Sequence, residues 1–151
     1  MSKCAKKALF LLRVSLGLML LFHGWNKITN PEFTVAIVLD NATNLQSLAG
    51  WLTAEGNVVW VSFLAAWGQF LVGIALTFGI FTTLAAWASA LMFAMLYLFF
   101  PPIDPKALFF IVDFHFLLVV AMGVIAETKA GLLWGADKQI GKKYKLKGCW
   151  F

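Results

Sequence analysis

The stretch Val58 to Phe78, VVWVSFLAAWGQFLVGIALTF, carries no charged side chain and only three polar ones, Ser62, Gln69 and Thr77. A helix needs ~20 predominantly apolar residues to cross a hydrocarbon core of ~30 Å, and this run has that length. Lipid offers no hydrogen bonds to the backbone, so such a segment must satisfy its own amides and is read as an α-helix. Three more runs lie outward from it: Ala8 to Trp25, Leu84 to Phe100 and Leu108 to Ala126. Together they predict an all-α integral membrane protein, a four-helix up-and-down bundle, with helices at about 8–25, 58–78, 84–100 and 108–126. One domain over 1–151 accommodates all four, followed by a basic tail at 127–151.

Composition agrees, since 62% apolar against 13% charged residues lies outside the range of a water-soluble domain. Lys3, Lys6 and Lys7 precede the first run as in a signal peptide. That run, however, ends in His23-Gly24-Trp25-Asn26-Lys27 with no small-x-small cleavage pattern, which favours a retained helix. The basic residues cluster before the first helix and again at Lys138, Lys142, Lys143, Lys145 and Lys147. By the positive-inside bias both termini are expected in the cytoplasm, across an inner (cytoplasmic) membrane. The basic tail suits anionic lipid, and the net charge of +5 calls for no nucleic-acid partner. Cys4 and Cys149 would then face a reducing compartment, with no C-x-x-C to suggest redox chemistry.

The connections are unequal. Gly79 suits a helix C-terminus, and Thr82 or Thr83 can cap the helix that follows, so helices two and three are expected to form a tight antiparallel hairpin. The prolines of Pro101-Pro102-Ile103-Asp104-Pro105-Lys106 separate helices three and four. The first loop, Asn26 to Asn57, is long for a bundle and lies outside the cell in this topology. Its Leu45, Leu48, Ala49, Trp51 and Leu52 fall near helical spacing, as for a short interfacial helix. Ser62, Ala65, Ala66, Gln69 and Gly73 make a small and polar stripe on helix two, while Ala86, Ala90 and Ala94 repeat on helix three. Both read as helix contacts.

Polar residues inside the runs carry the functional information: Arg13, His23, Gln69, Asp113 and His115. A charge at the bilayer centre costs ~2.5–3.5 kcal/mol even on gentle insertion scales, so such residues face protein or water. Arg13 lies in the inner half of helix one, where it either braces helices or reaches lipid phosphate. His23, Asp113 and His115 lie in the outer third. Two positions on a helix differ by about 200°, so Asp113 and His115 cannot share one small pocket, and Asp113 is the expected pocket residue. An antiparallel bundle that closes on itself would place it beside His23. Trp25, Trp51, Trp60 and Trp134 fit an interfacial belt. Trp67, Trp87, Phe93 and Tyr97 are deeper, and either pack or line a cleft for a flat, isoprenoid-tailed molecule. Neither a metal nor a haem site is predicted from two histidines on separate helices, and no nucleophile elbow or phosphate loop is present.

Arg13-x-x-x-Gly17 followed by His23-Gly24-Trp25-Asn26-Lys27 resembles the opening signature of the DoxX/DoxD family of four-helix membrane proteins. The resemblance continues through Gln69, Gly73 and Gly79, and ends with Gly131, Gly135 and Asp137 past helix four. It implies membrane redox chemistry, because DoxD is a subunit of an enzyme that oxidises thiosulfate and passes electrons to quinone. Many relatives have Glu where this chain has Gln69, which removes a proton-transfer group from that position.

Two readings follow. In one, the chain is part of a quinone-reducing oxidoreductase, and His23, Lys27, Gln69 and Asp113, with Trp67 and Tyr97, hold a quinone headgroup. His23 or Lys27 would donate to a carbonyl oxygen, and Asp113 would accept or relay a proton, making His23 and Asp113 the catalytic pair. In the other, it is a structural subunit that docks larger redox partners and uses its polar residues only to knit helices.

Overall fold

The computed structural model describes residues 1–100 and 113–139. The prolines between helices three and four, the first residues of the expected fourth helix and the tail from 140 onward, Cys149 included, lie outside the described residues. Within them the chain is helical, with no strand. It is built of α1 (Lys3–Thr29), α2 (Ala36–Leu39), α3 (Gln46–Thr53), α4 (Val58–Phe78), α5 (Thr82–Phe99), α6 (Phe114–Glu127) and a final 3-10 turn, Ala130–Leu132. Three of these, α1, α4 and α5, are long and apolar enough to cross a membrane, and α6 is a shorter apolar helix. The chain is a membrane protein built as a helical bundle.

Helix α1 begins where the Ser2 hydroxyl accepts the N–H of Ala5, and runs a turn beyond the expected boundary, to Thr29. Its last turn holds Lys27, whose charge suits the negative end of a helix dipole. The buried residues Arg13, Gly17, Leu20 and Gly24 recur at four, three and four positions, so they share one face. Lys27 continues that series.

This face lies against α4. A Cβ on Gly17 would strike the backbone of Thr77, one on Gly24 the backbone of Phe70, and one on Gly73 the backbone of Leu21. Rising residue numbers on α1 therefore meet falling ones on α4, which makes the pair antiparallel and lets it close to backbone contact. α5 packs similarly along α6. Leu20, Leu76, Ala86, Phe93, Met122 and Ile125 form the common core between the two pairs.

The tight α4–α5 hairpin is present only at its turn. Gly79 ends α4 in the left-handed conformation, φ 70° and ψ 47°, but above the turn α4 and α5 touch over a shorter stretch than α1 with α4 or α5 with α6. The helices splay, and the long first loop fills the opening between their far ends. The amide of Val35 donates to Ser62 Oγ on α4 at 2.8 Å. The amides of Thr43 and Asn44 donate to the Phe99 carbonyl on α5 at 3.1 and 3.2 Å. The expected amphipathic helix forms as α3, with Ala49 buried and Trp51 exposed, and Leu39, Ala42, Ala49 and Phe99 join in a small second core.

Candidate functional site

Polar side chains gather at both ends of the bundle, and the two groups are built differently. At the end where α1 begins, Arg13 and Asp137 are each 1% exposed. Arg13 donates from one guanidinium nitrogen to the carbonyls of Ala130 and Leu133 at 2.8 and 3.3 Å. Its guanidinium also lies over the Phe10 ring, 5.3 Å from the centroid, and Phe10 meets Trp134 edge to face. Asp137 accepts the amides of Phe81 and Thr82 at 2.7 and 2.9 Å.

The carboxylate thus caps α5, whose N-cap residue Phe81 has no capping side chain. The expected threonine cap is replaced because Phe81 adopts φ 48° and Thr82 is already helical, which turns the free amides toward Asp137. Gly79, Gly131 and Gly135 make room for the node, since a Cβ on Gly79 or Gly135 would press on the Arg13 guanidinium and one on Gly131 on Asp137 and Thr82. Arg13 is therefore a brace between α1 and the segment after α6, and its head does not extend to a lipid phosphate. Arg13 Nε and Thr82 Oγ1 are buried without a hydrogen-bond partner among the described residues. Burying unpartnered donors costs ~1–3 kcal/mol each.

At the other end, Lys27 Nζ donates to Gln69 Oε1 at 2.7 Å and lies 5.2 Å from the centroid of Phe33. The pair borders a cavity of about 520 Å³ between α1, α4 and α5, roofed by Phe33, Val35, Val38 and Leu39 of the first loop. The floor and walls are Leu20, Val72 and the methionines Met92 and Met95, with Ser89 bonded back to the Ala85 carbonyl. An apolar space of a few hundred Å³ with few convergent polar groups is the usual form of a small-ligand site.

Of the six residues expected to hold a quinone, the fold brings Lys27 and Gln69 together and leaves four elsewhere. His23 is one position off the buried face of α1. It is exposed, and its Nδ1 sits 2.8 Å from the Met19 carbonyl of its own helix. Trp67 lies in an outer aromatic row, 6.0 Å from both Phe63 and Phe70. Tyr97 turns toward α6, where it meets Phe116 at 6.1 Å.

Asp113 is the largest departure. It precedes α6 as its N-cap and accepts the Phe116 amide at 2.8 Å, while its other oxygen lies 2.9 Å from His115 Nδ1. The 200° separation expected for these two does not apply, because Asp113 has extended backbone, φ −109° and ψ −177°, and stands outside the helix. The expected contact of helices one and four is not made either. Among the described residues α1 lies on α4 and α6 on α5, and α1 and α6 share no substantial interface, so no His23–Asp113 pair is formed there.

A family model, DoxX, matches residues 8–102. This chain belongs to the DoxX family. Neither a curated protein nor a solved structure matches it significantly. The DoxX match contains Lys27, Gln69 and every residue that lines the cavity, whereas Asp113, His115 and Asp137 fall beyond it. Among the described residues of this DoxX chain, no three His, Cys, Asp or Glu side chains come together as a metal site would need.

The sequence contained a signal for the Lys27–Gln69 pair. Arg13, Gly17, Leu20, Gly24 and Lys27 follow one helix face, and Ser62, Ala66, Gln69 and Gly73 follow the buried face of α4. Two such faces with glycines at matching heights meet closely, and their polar members meet with them.

Proposed function

We propose that this DoxX protein is a membrane subunit of a quinone-linked redox system, and that Lys27 and Gln69 hold the quinone headgroup. The observation that carries the reading is the 2.7 Å Lys27–Gln69 contact at the edge of an otherwise apolar cavity. An ammonium has three donors and Gln69 Oε1 takes one, which leaves donors for a carbonyl oxygen. The Gln69 amide nitrogen supplies a further donor. Both groups lie in surroundings of low polarity, where a hydrogen bond to a ligand is stronger than in water.

The subunit would sit in the inner membrane as a four-span protein with both termini in the cytoplasm, alongside redox partners that supply electrons. Sulfur-compound oxidation of the thiosulfate type is the reaction class that the DoxX/DoxD resemblance suggests. In this reading His23 and Asp113 do not act as an acid–base pair at the headgroup.

Titration of a short-tailed benzoquinone into the protein in nanodiscs tests the proposal. Lys27→Met should weaken binding by about tenfold, the equivalent of ~1.4 kcal/mol, and Gln69→Leu should weaken it by a smaller factor. Binding that is indifferent to Lys27→Met would refute the assignment. A structural-subunit reading is favoured by one observation, the use of Arg13 and Asp137 as an internal brace. It would be supported if the protein co-purified with a redox complex and bound no quinone.

A further inference from the structure

We infer that the cavity is loaded sideways from the bilayer, through a notch between α4 and α5 at Gly68, and that its occupant is a long-tailed quinone whose chain leaves by that notch. The inference rests on the quinone reading for the identity of the headgroup, and on the shape of the wall for the route.

Leu64 and Leu91 both line the cavity and are nevertheless 62% and 67% exposed. A side chain that touches the inside and the outside at once marks a wall open at that place. Gly68 stands one turn from Leu64 on α4, and counting back from the turn at 79–81 at 1.5 Å per residue puts it roughly level with Leu91 on α5. Small residues on membrane helices usually bring backbones together, as Gly17, Gly24 and Gly73 do here. Gly68 does the opposite, because a Cβ built on it meets nothing within 4 Å although the residue lines the cavity. Ala88, the small residue on the facing wall, also lines the space and is exposed.

The roof is closed by comparison. Val35 is bonded to Ser62 on one wall and Thr43 and Asn44 to Phe99 on the other, so the first loop ties the far ends of α4 and α5 across the top of the cavity. The opening that remains faces the apolar flanks of two membrane helices. A ligand that arrives there must be dissolved in lipid. About 520 Å³ holds a headgroup and the first part of a chain, and a polyisoprenoid tail has to continue outside. Gly68, next in sequence to Gln69, is then the residue that sets which tails can pass.

The test compares a decyl-tailed benzoquinone with the tail-free ring in nanodiscs. Gly68→Phe places its ring in the notch and should weaken the decyl compound by more than about tenfold while the tail-free ring changes by less than about threefold, as affinity ratios. Gly68→Ala, which has space for its methyl, should retain the melting temperature and bind both. Equal loss of both compounds in Gly68→Phe, or loss of neither, would overturn the notch. A spin label at Gly68→Cys, in a Cys4→Ser, Cys149→Ser background, gives a readout that needs no ligand. It should be relaxed by oxygen dissolved in the bilayer and protected from a water-soluble nickel chelate, and the reverse would overturn lateral entry. Should the unmodified protein bind neither quinone, the redox reading fails and the spin label alone decides whether the wall opens to lipid.

Discussion

The carboxylate of Asp137 accepts the backbone N–H of Thr82 at 2.9 Å, so a residue past α6 caps a helix that starts far earlier in the chain. The same carboxylate is a nearby opposite charge to the buried Arg13, which bonds instead to the carbonyls of Ala130 and Leu133. Asp137→Ala should therefore remove a helix cap and a neighbouring negative charge, for a loss of about 2 kcal/mol. Asp137→Asn keeps an acceptor and should lose less. A thermal or denaturant transition in mild detergent measures both, and Asp137→Ala with unchanged stability would contradict the brace. Arg13→Met and Asp137→Ala should also be non-additive by more than ~0.5 kcal/mol.

Two glycines near this end give a matched comparison. Gly131→Ala pushes a methyl onto Asp137 and Thr82, whereas a Cβ at Gly123 meets nothing within 4 Å. Overpacking costs ~1–3 kcal/mol, so Gly131→Ala should lower the melting temperature while Gly123→Ala leaves it level or raises it. Similar behaviour of the two would mean that the node is looser than the structure has it.

The histidines should separate in double-mutant cycles. His23 faces outward and Asp113 pairs with His115, so His23→Gln and Asp113→Asn should add within ~0.5 kcal/mol, while His115→Gln and Asp113→Asn should not. The measurement is again stability in detergent. Coupling of His23 to Asp113 would require α1 and α6 to meet, contrary to the helix order described above.

Orientation is tested by labelling. Asn44→Cys lies in the roof loop and Gln139→Cys beyond the opposite end of the bundle. In the proposed topology, with cytoplasmic termini, a membrane-impermeant thiol reagent should modify the first in intact cells and the second only after lysis. The Cys4→Ser, Cys149→Ser background removes competing thiols, and modification of Gln139→Cys in intact cells would reverse the topology.

The fold was legible wherever an apolar run was bounded by clear stops, as α4 is between Asn57 and Gly79. It was less legible at Asp113, because the run continues through it in composition while the backbone leaves the helix there. Depth along a helix could be counted, and it set His23 in the outer third apart from Arg13 in the inner half. Facing could not be counted without knowing which helices are neighbours. His23 and Lys27 are both polar and one turn apart, yet only Lys27 continues the face carried by Gly17 and Gly24. The cavity left no hydrophobic signal, because Gly68 and Ala88 stand outside the small-residue stripes of both helices and their place on the cavity wall follows only from the splay of α4 and α5.

The cap on α5 has a consequence for how the chain is made. The Phe81 and Thr82 amides emerge during synthesis long before their acceptor, and Asp137 follows only after every apolar helix has been translated. Until then the α4–α5 turn lacks the carboxylate that accepts its amides, and Arg13 lacks the Ala130 and Leu133 carbonyls. Closure of the node thus waits on residue 137, and its separate hydrogen bonds tie the first helix and the α4–α5 turn to the segment after α6.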